Sequence, residues 1–171
     1  MGKTELLISK WRAEGIDMVY PLLFQFRTSV VGEGWLAGVE MRGAAVVTKE
    51  ASGEYIAHGL KPGGVAGVGS TLTEAYLAYK EEVQTVLYDM PGNASFEAFR
   101  EGVLEFFDSP DAWGEAKFSE GRLMVAAGKV DSSLPVEPNP DPRVSVVELE
   151  LRSKNNPVLP AGESLPVQLA A

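Results

Sequence analysis

Few side chains in this sequence could carry chemistry. It holds one histidine, His58, and no cysteine. Without cysteine there are no disulfides, no thiolate metal sites and no cysteine nucleophile. A single histidine excludes a multi-histidine metal site within one chain. His58 lies in the run Tyr55 to Leu60 and shares parity with Ile56 and Leu60. A histidine on an apolar strand face is ordinarily a packed, hydrogen-bonded core residue, and acid–base work would require a nucleophile or carboxylate beside it. Glu81 and Glu82 stand side by side. Neighbouring helix positions point about 100° apart, so this pair cannot share a proton or a metal. No catalytic residue, no metal ligand set and no cofactor site is therefore assigned.

Two glycine motifs imitate ligand loops. Gly2-Lys3-Thr4 resembles the end of a phosphate-binding loop, but the upstream glycine and strand are missing. The Met-Gly start lacks the Ser or Thr that a myristoylation signal has at position 6, where this chain has Leu6. Gly64-Val65-Ala66-Gly67-Val68-Gly69 precedes a helix, and backbone amides at a helix start can hold an anion. Its spacing is the reverse of the dinucleotide fingerprint, so tight turns and a narrow edge strand are the expected role. Phe96, Phe99, Phe106 and Phe107 read as core rather than as a ligand box.

The charge is concentrated. The chain carries a net charge of -9, and residues 70–115 set only Lys80 and Arg100 against ten acids. That stretch alone accounts for -8. An acidic surface repels phosphate backbones, so direct nucleic-acid binding is not expected. It keeps a protein dissolved, and it also draws in a basic protein partner. No apolar run approaches the roughly 20 residues that a membrane helix requires. Lys10, Arg12 and Glu14 interrupt any leader-like core at the N-terminus, so a cytoplasmic location is the expectation.

The elements that must position these groups follow from periodicity. Residues 4–14 read as a short helix with Leu7, Ile8 and Trp11 on one side and Gly15 as the stop. Pro21 is expected to separate it from a strand that begins at Phe24 and buries Phe24, Phe26, Thr28 and Val30. Gly32-Glu33-Gly34 turns the chain into a long strand from Trp35 to Glu50, where Gly43 suggests a bulge. A strand from Tyr55 to Leu60, a turn at Lys61 to Gly64 and a strand from Val65 to Gly69 complete a meander. Thr71 and Glu74 form a capping box ahead of an amphipathic helix built on Leu72, Tyr76, Tyr79, Val83, Val86 and Met90. Ser95 caps a second helix, which Asp108-Ser109-Pro110 ends. Residues 117–125 suggest a small hairpin. Residues 134–142 are a proline-spaced connector, and Val144 to Leu151 is a late strand with a bulge at Val146-Val147.

Residues 53–90 resemble the HicB-like antitoxin family. The resemblance rests on Tyr55, Pro62, Gly63, Gly69, Thr71, Glu74 and Ala75, within GEYIAHGLKPGG, VAGVG and GSTLTEA. It implies a partial ribonuclease-H-like fold, in which a meander is followed by a helix on one sheet face. It also implies a small basic RNA-cleaving toxin as partner. No helix-turn-helix or ribbon-helix-helix is readable after residue 90. The strands offer only Glu40, Glu50, Glu54, Glu148 and Glu150 for a two-metal site, so nuclease activity is not expected.

Together these features predict an α+β fold: an antiparallel meander with a long helix on one face, a second helix and a late strand. Residues 1–151 form the single domain, with 21–90 as the HicB-like core, and 152–171 form a loose tail. The expected function is non-catalytic binding of a basic, toxin-like protein, with Glu81, Glu82, Glu97 and Glu101 as the contact surface. Self-pairing into a homodimer is expected if a sheet edge is exposed. The alternatives are a small-molecule binder or enzyme with a cleft near His58 and the Gly63–Gly69 turn, and a phage or virion component.

Overall fold

The computed structural model describes residues 2–109, 111–150 and 164–170. The fold is α+β. Helix α1 (Lys3–Ala13) precedes strands β1 (Ile16–Gly32), β2 (Trp35–Glu50), β3 (Tyr55–Lys61) and β4 (Gly63–Gly69). Helices α2 (Leu72–Asp89), α3 (Phe96–Phe107) and α4 (Ala112–Ala126) follow, then β5 (Val136–Glu137), β6 (Arg143–Glu148) and β7 (Ser164–Ala170). The sheet runs β4-β3-β2-β1-β7-β5, and β6 pairs with β2 beyond the end of β3. All pairings are antiparallel except β5 with β7.

Strand alternation assigns the two faces. One carries Leu22, Phe24, Phe26 and Val30 of β1 with Ala37, Val39 and Met41 of β2, packed against Tyr76, Tyr79 and Val83 of α2 and Phe99 and Val103 of α3. The other carries Val19, Leu23, Ala44 and Val46, packed against Trp11 of α1 and Phe118 and Met124 of α4. The halves of the two long strands far from their shared turn are thus buried on both faces, and the turn-proximal halves on one.

Glycines set the seating of α2. A Cβ on Gly67 would lie 2.1 Å from the Tyr79 backbone nitrogen, and one on Gly69 would lie 2.4 Å from that of Ala75. The helix therefore rests directly on the β4 backbone. The Thr71 hydroxyl accepts from the Glu74 N–H at 3.1 Å, whereas the Glu74 carboxylate accepts from the N–H and hydroxyl of Ser70. The return leg of the capping box thus lands one residue earlier than expected. Trp35 anchors α3, stacking on Phe99 at 4.9 Å and donating to the Ala94 carbonyl at 3.0 Å.

Several expectations are corrected. Pro21 does not separate elements; β1 starts at Ile16, and Pro21 lies within it, opposite Val46 and just outside the stretch paired with β7. Gly43 is no bulge between β1 and β2. A Cβ there would meet the Phe24 ring at 2.3 Å and the Lys61 carbonyl at 2.4 Å, and the register shift falls beside it at Ala44 and Ala45 against β3. Residues 117–125 belong to α4, because Gly114, Lys117, Phe118, Gly121 and Met124 are buried at helical spacing and Asp111 caps the start. The Val146-Val147 doublet causes no bulge, since β6 keeps one register from Arg143 to Glu148. The tail is not loose throughout. Ser164–Ala170 forms β7 between β1 and β5, with Leu169 buried; 152–163 and Ala171, like Pro110 of the helix stop, lie outside the described residues.

Candidate functional site

The structure places most of the acidic stretch on the outer surface of one helical layer, whereas Asp111 and Glu115 belong to the start of α4 on the other face. Glu81 and Glu82 project from α2, and Glu97 and Glu101 from α3; all four are exposed. Glu97 accepts from Arg100 at 3.2 Å. The inward faces of both helices are locked by aromatic contacts: Phe24 meets Tyr76 and Tyr79 at 5.8 and 5.5 Å, and the Tyr79 hydroxyl donates to the Pro62 carbonyl at 3.0 Å. Burial alone pushes the Tyr76 phenol up to about 12. The layer is thus a rigid platform with carboxylates outward. The residues of the family resemblance lie under it. Gly69, Thr71, Glu74 and Ala75 fix the β4-to-α2 turn, Pro62 lies in the β3-to-β4 turn next to Gly63 and accepts from Tyr79, and Tyr55 pairs with Gly69.

His58 is on the opposite face. It is half-buried and meets the exposed Trp113 ring edge-on at 4.7 Å. Burial lowers its pKa below 6.5, although the charges of Asp111 and Glu50 oppose the shift. Gly67 and Gly69 point to the α2 face, so they and His58 do not line one cleft. Among the described residues no group of three or more His, Asp or Glu side chains could hold a metal. Glu40 is paired with Arg27, and Glu50 accepts from the Thr48 hydroxyl. No helix among the described residues is long and apolar enough to cross a membrane.

Sequence reasoning does not reach two features. One is the buried Lys117, which donates to Glu14 and, at 3.4 Å, to Glu120. Glu120 also accepts from Lys10 and, at 2.7 Å, from the Trp11 indole. Burial pushes the Glu120 carboxyl up, but these hydrogen bonds and the Lys117 charge outweigh it and hold the group below its usual range. The network clamps α1 to α4, and its signal was the helical spacing of residues 114–124.

The other is an open part of the His58 face, near the β1–β2 turn. Across β1, β2 and β6 it presents successive rows: Gln25, Arg42 and Arg143; Arg27, Glu40 and Ser145; Ser29, Gly38 and Val147. A final row pairs Val31 with Leu36, beside Leu149, whose N–H donates to the Leu36 carbonyl. The Glu33-Gly34 turn was the signal, because it fixes the pairing register from sequence.

The chain matches no protein-family model, and neither the curated proteins nor the solved structures include a significant match to it.

Proposed function

We propose that the chain is a non-catalytic, cytoplasmic protein-binding module resembling HicB antitoxins, which uses α2 and α3 as an acidic docking layer for a small basic protein of the RNA-cleaving toxin class. The observation that carries this reading is the placement of Glu81, Glu82, Glu97 and Glu101, exposed together on helices whose other faces are fixed to the sheet. A pre-ordered layer loses little conformational entropy on binding, and its net negative charge steers an oppositely charged partner. Phosphate backbones are repelled by the same field.

The test mixes the purified chain with a small basic RNA-cleaving toxin, taken from a short basic reading frame beside this gene where one is found. Binding that weakens by an order of magnitude or more between low and physiological salt is expected, as is growth rescue on co-expression. Reversing all four glutamates to lysine should abolish both while leaving the circular dichroism unchanged. Binding that survives the reversal would refute the assignment of this surface. Turnover with a pH profile lost in His58→Ala would favour an enzyme instead.

A further inference from the structure

We propose that the sheet face beside the β1–β2 turn, which no described helix covers, is a self-association surface that pairs two copies of this chain face to face. The face contains Arg27 and Glu40, joined at 3.0 Å and about half exposed. Beyond them Val31 is 74% exposed and Val147 is 54% exposed. A shallow groove of about 230 Å³ follows Arg27, Gly38, Glu40, Ser145, Val147 and Leu149. Neither α1 nor α4 reaches this area, because their contacts end on the turn-distal halves of β1 and β2.

The occupant follows from charge and register. A two-fold axis running along the strands, midway between β1 and β2, exchanges the two strands of the hairpin. It sets Arg27 over Glu40 of the second copy and Glu40 over Arg27 of that copy. One row further, the Ser29 hydroxyl is buried and the Leu149 side chain lies over Gly38, so this row presents apolar surface. In the last row Val31 meets Leu36. The Arg27–Glu40 and Val31–Leu36 rows are each complementary to themselves under this single operation, as an isologous contact requires. Aligned sheets pack in this way.

Net charge points to the same face. Two chains of -9 repel, and most of that charge rides on α2 and α3, behind the sheet. With layers stacked about 10 Å apart, the two acidic layers would stand roughly 30 Å from each other, well beyond the Debye length of about 8 Å at physiological salt. The Arg27–Glu40 row itself is neutral. The pairing leaves both acidic layers facing outward, so it does not depend on the partner-binding reading. Three strands by about six residues cover roughly 300 Å² per copy, less than a tight dimer buries, so the association is weak.

Sedimentation equilibrium from low to high micromolar concentration tests this. The wild-type mass should climb toward twice the monomer. Arg27→Glu and Glu40→Arg each place like charges across the axis, and each alone should weaken the dimer about tenfold or more. Mixing the two variants in equal amounts should restore it, because two carboxylates on one chain then face two guanidinium groups on the other. Both positions are exposed, and circular dichroism checks that each variant is folded. A wild-type chain that stays monomeric throughout, singles that dimerise like wild type, or a mixture that stays monomeric would each overturn the proposal.

Discussion

Replacing Gly67 by alanine should cost about 3 kcal/mol of folding stability. The new methyl would lie 2.1 Å from the Tyr79 nitrogen, 2.5 Å from the Ala75 carbonyl oxygen and 2.8 Å from the Ala78 carbonyl carbon, where ordinary contact begins at 3.4 Å. All three are helix backbone, so no side chain can swing aside, and α2 must retreat by roughly 1 Å to regain ordinary contact. Forced overpacking of this kind costs about 1–3 kcal/mol. The retreat also strains the 3.0 Å hydrogen bond from Tyr79 to the Pro62 carbonyl, adding about 1 kcal/mol. For a chain of this size each kcal/mol moves the melting temperature by about 2–4 °C, so a fall of about 6–12 °C is expected. Gly102 provides the control. It lies inside α3, and its Cβ would meet only the Met90 sulfur at 4.0 Å. Gly102→Ala should therefore raise stability by about 0.5–1 kcal/mol. Thermal and urea unfolding followed by far-ultraviolet circular dichroism would measure both. A Gly67→Ala protein within about 0.5 kcal/mol of wild type, a typical neutral change, would show that α2 does not rest on the β4 backbone.

Two further outcomes are expected. His58 supplies the only histidine resonance, and its NMR titration midpoint should fall below 6.5, moving back toward 6.5 in Trp113→Ala as the ring is exposed; a midpoint at or above 6.5 would contradict the burial. Because the folded carboxyl of Glu120 titrates below its unfolded value of 4.5, its contribution to stability is present above that pH and is lost as pH falls through the folded pKa. Glu120→Gln should lower neutral-pH stability and flatten the acid limb of the stability curve, which urea unfolding at stepped pH measures.

The elements that were legible in the sequence are those whose local chemistry agreed with their tertiary setting. Turn residues at Gly34 and Gly53, both at positive φ, delimit the first three strands, and Thr71 and Ser95 mark the starts of α2 and α3. The charge of residues 70–115 likewise foretold the acidic layer. What was illegible depended on distant partners. Lys117 reads as a surface residue until Glu14 and Glu120 surround it, so the local pattern of α4 imitates a hairpin. Pro21 punctuates a helix-to-strand boundary locally, but the pairing of Tyr20 and Leu22 with β2 carries the strand through it. The prolines after residue 134 suggested a loose end, yet Leu169 is held against Leu22. The Arg27–Glu40 pair was derivable from the turn register, but neither residue belongs to any motif.

The pairing of β7 with β1 also bears on how the chain is made. Leu22 and Leu169 are partners, 147 positions apart along the chain. At about 5–20 residues per second, a ribosome needs roughly 7–30 s to deliver the second after the first. Throughout that interval the emerging polypeptide presents the outer rim of its first strand without a mate. Nascent or stalled copies therefore carry an unpaired edge at Leu22–Phe26 that β7 covers in the finished chain, and such an edge is a template for pairing with another chain.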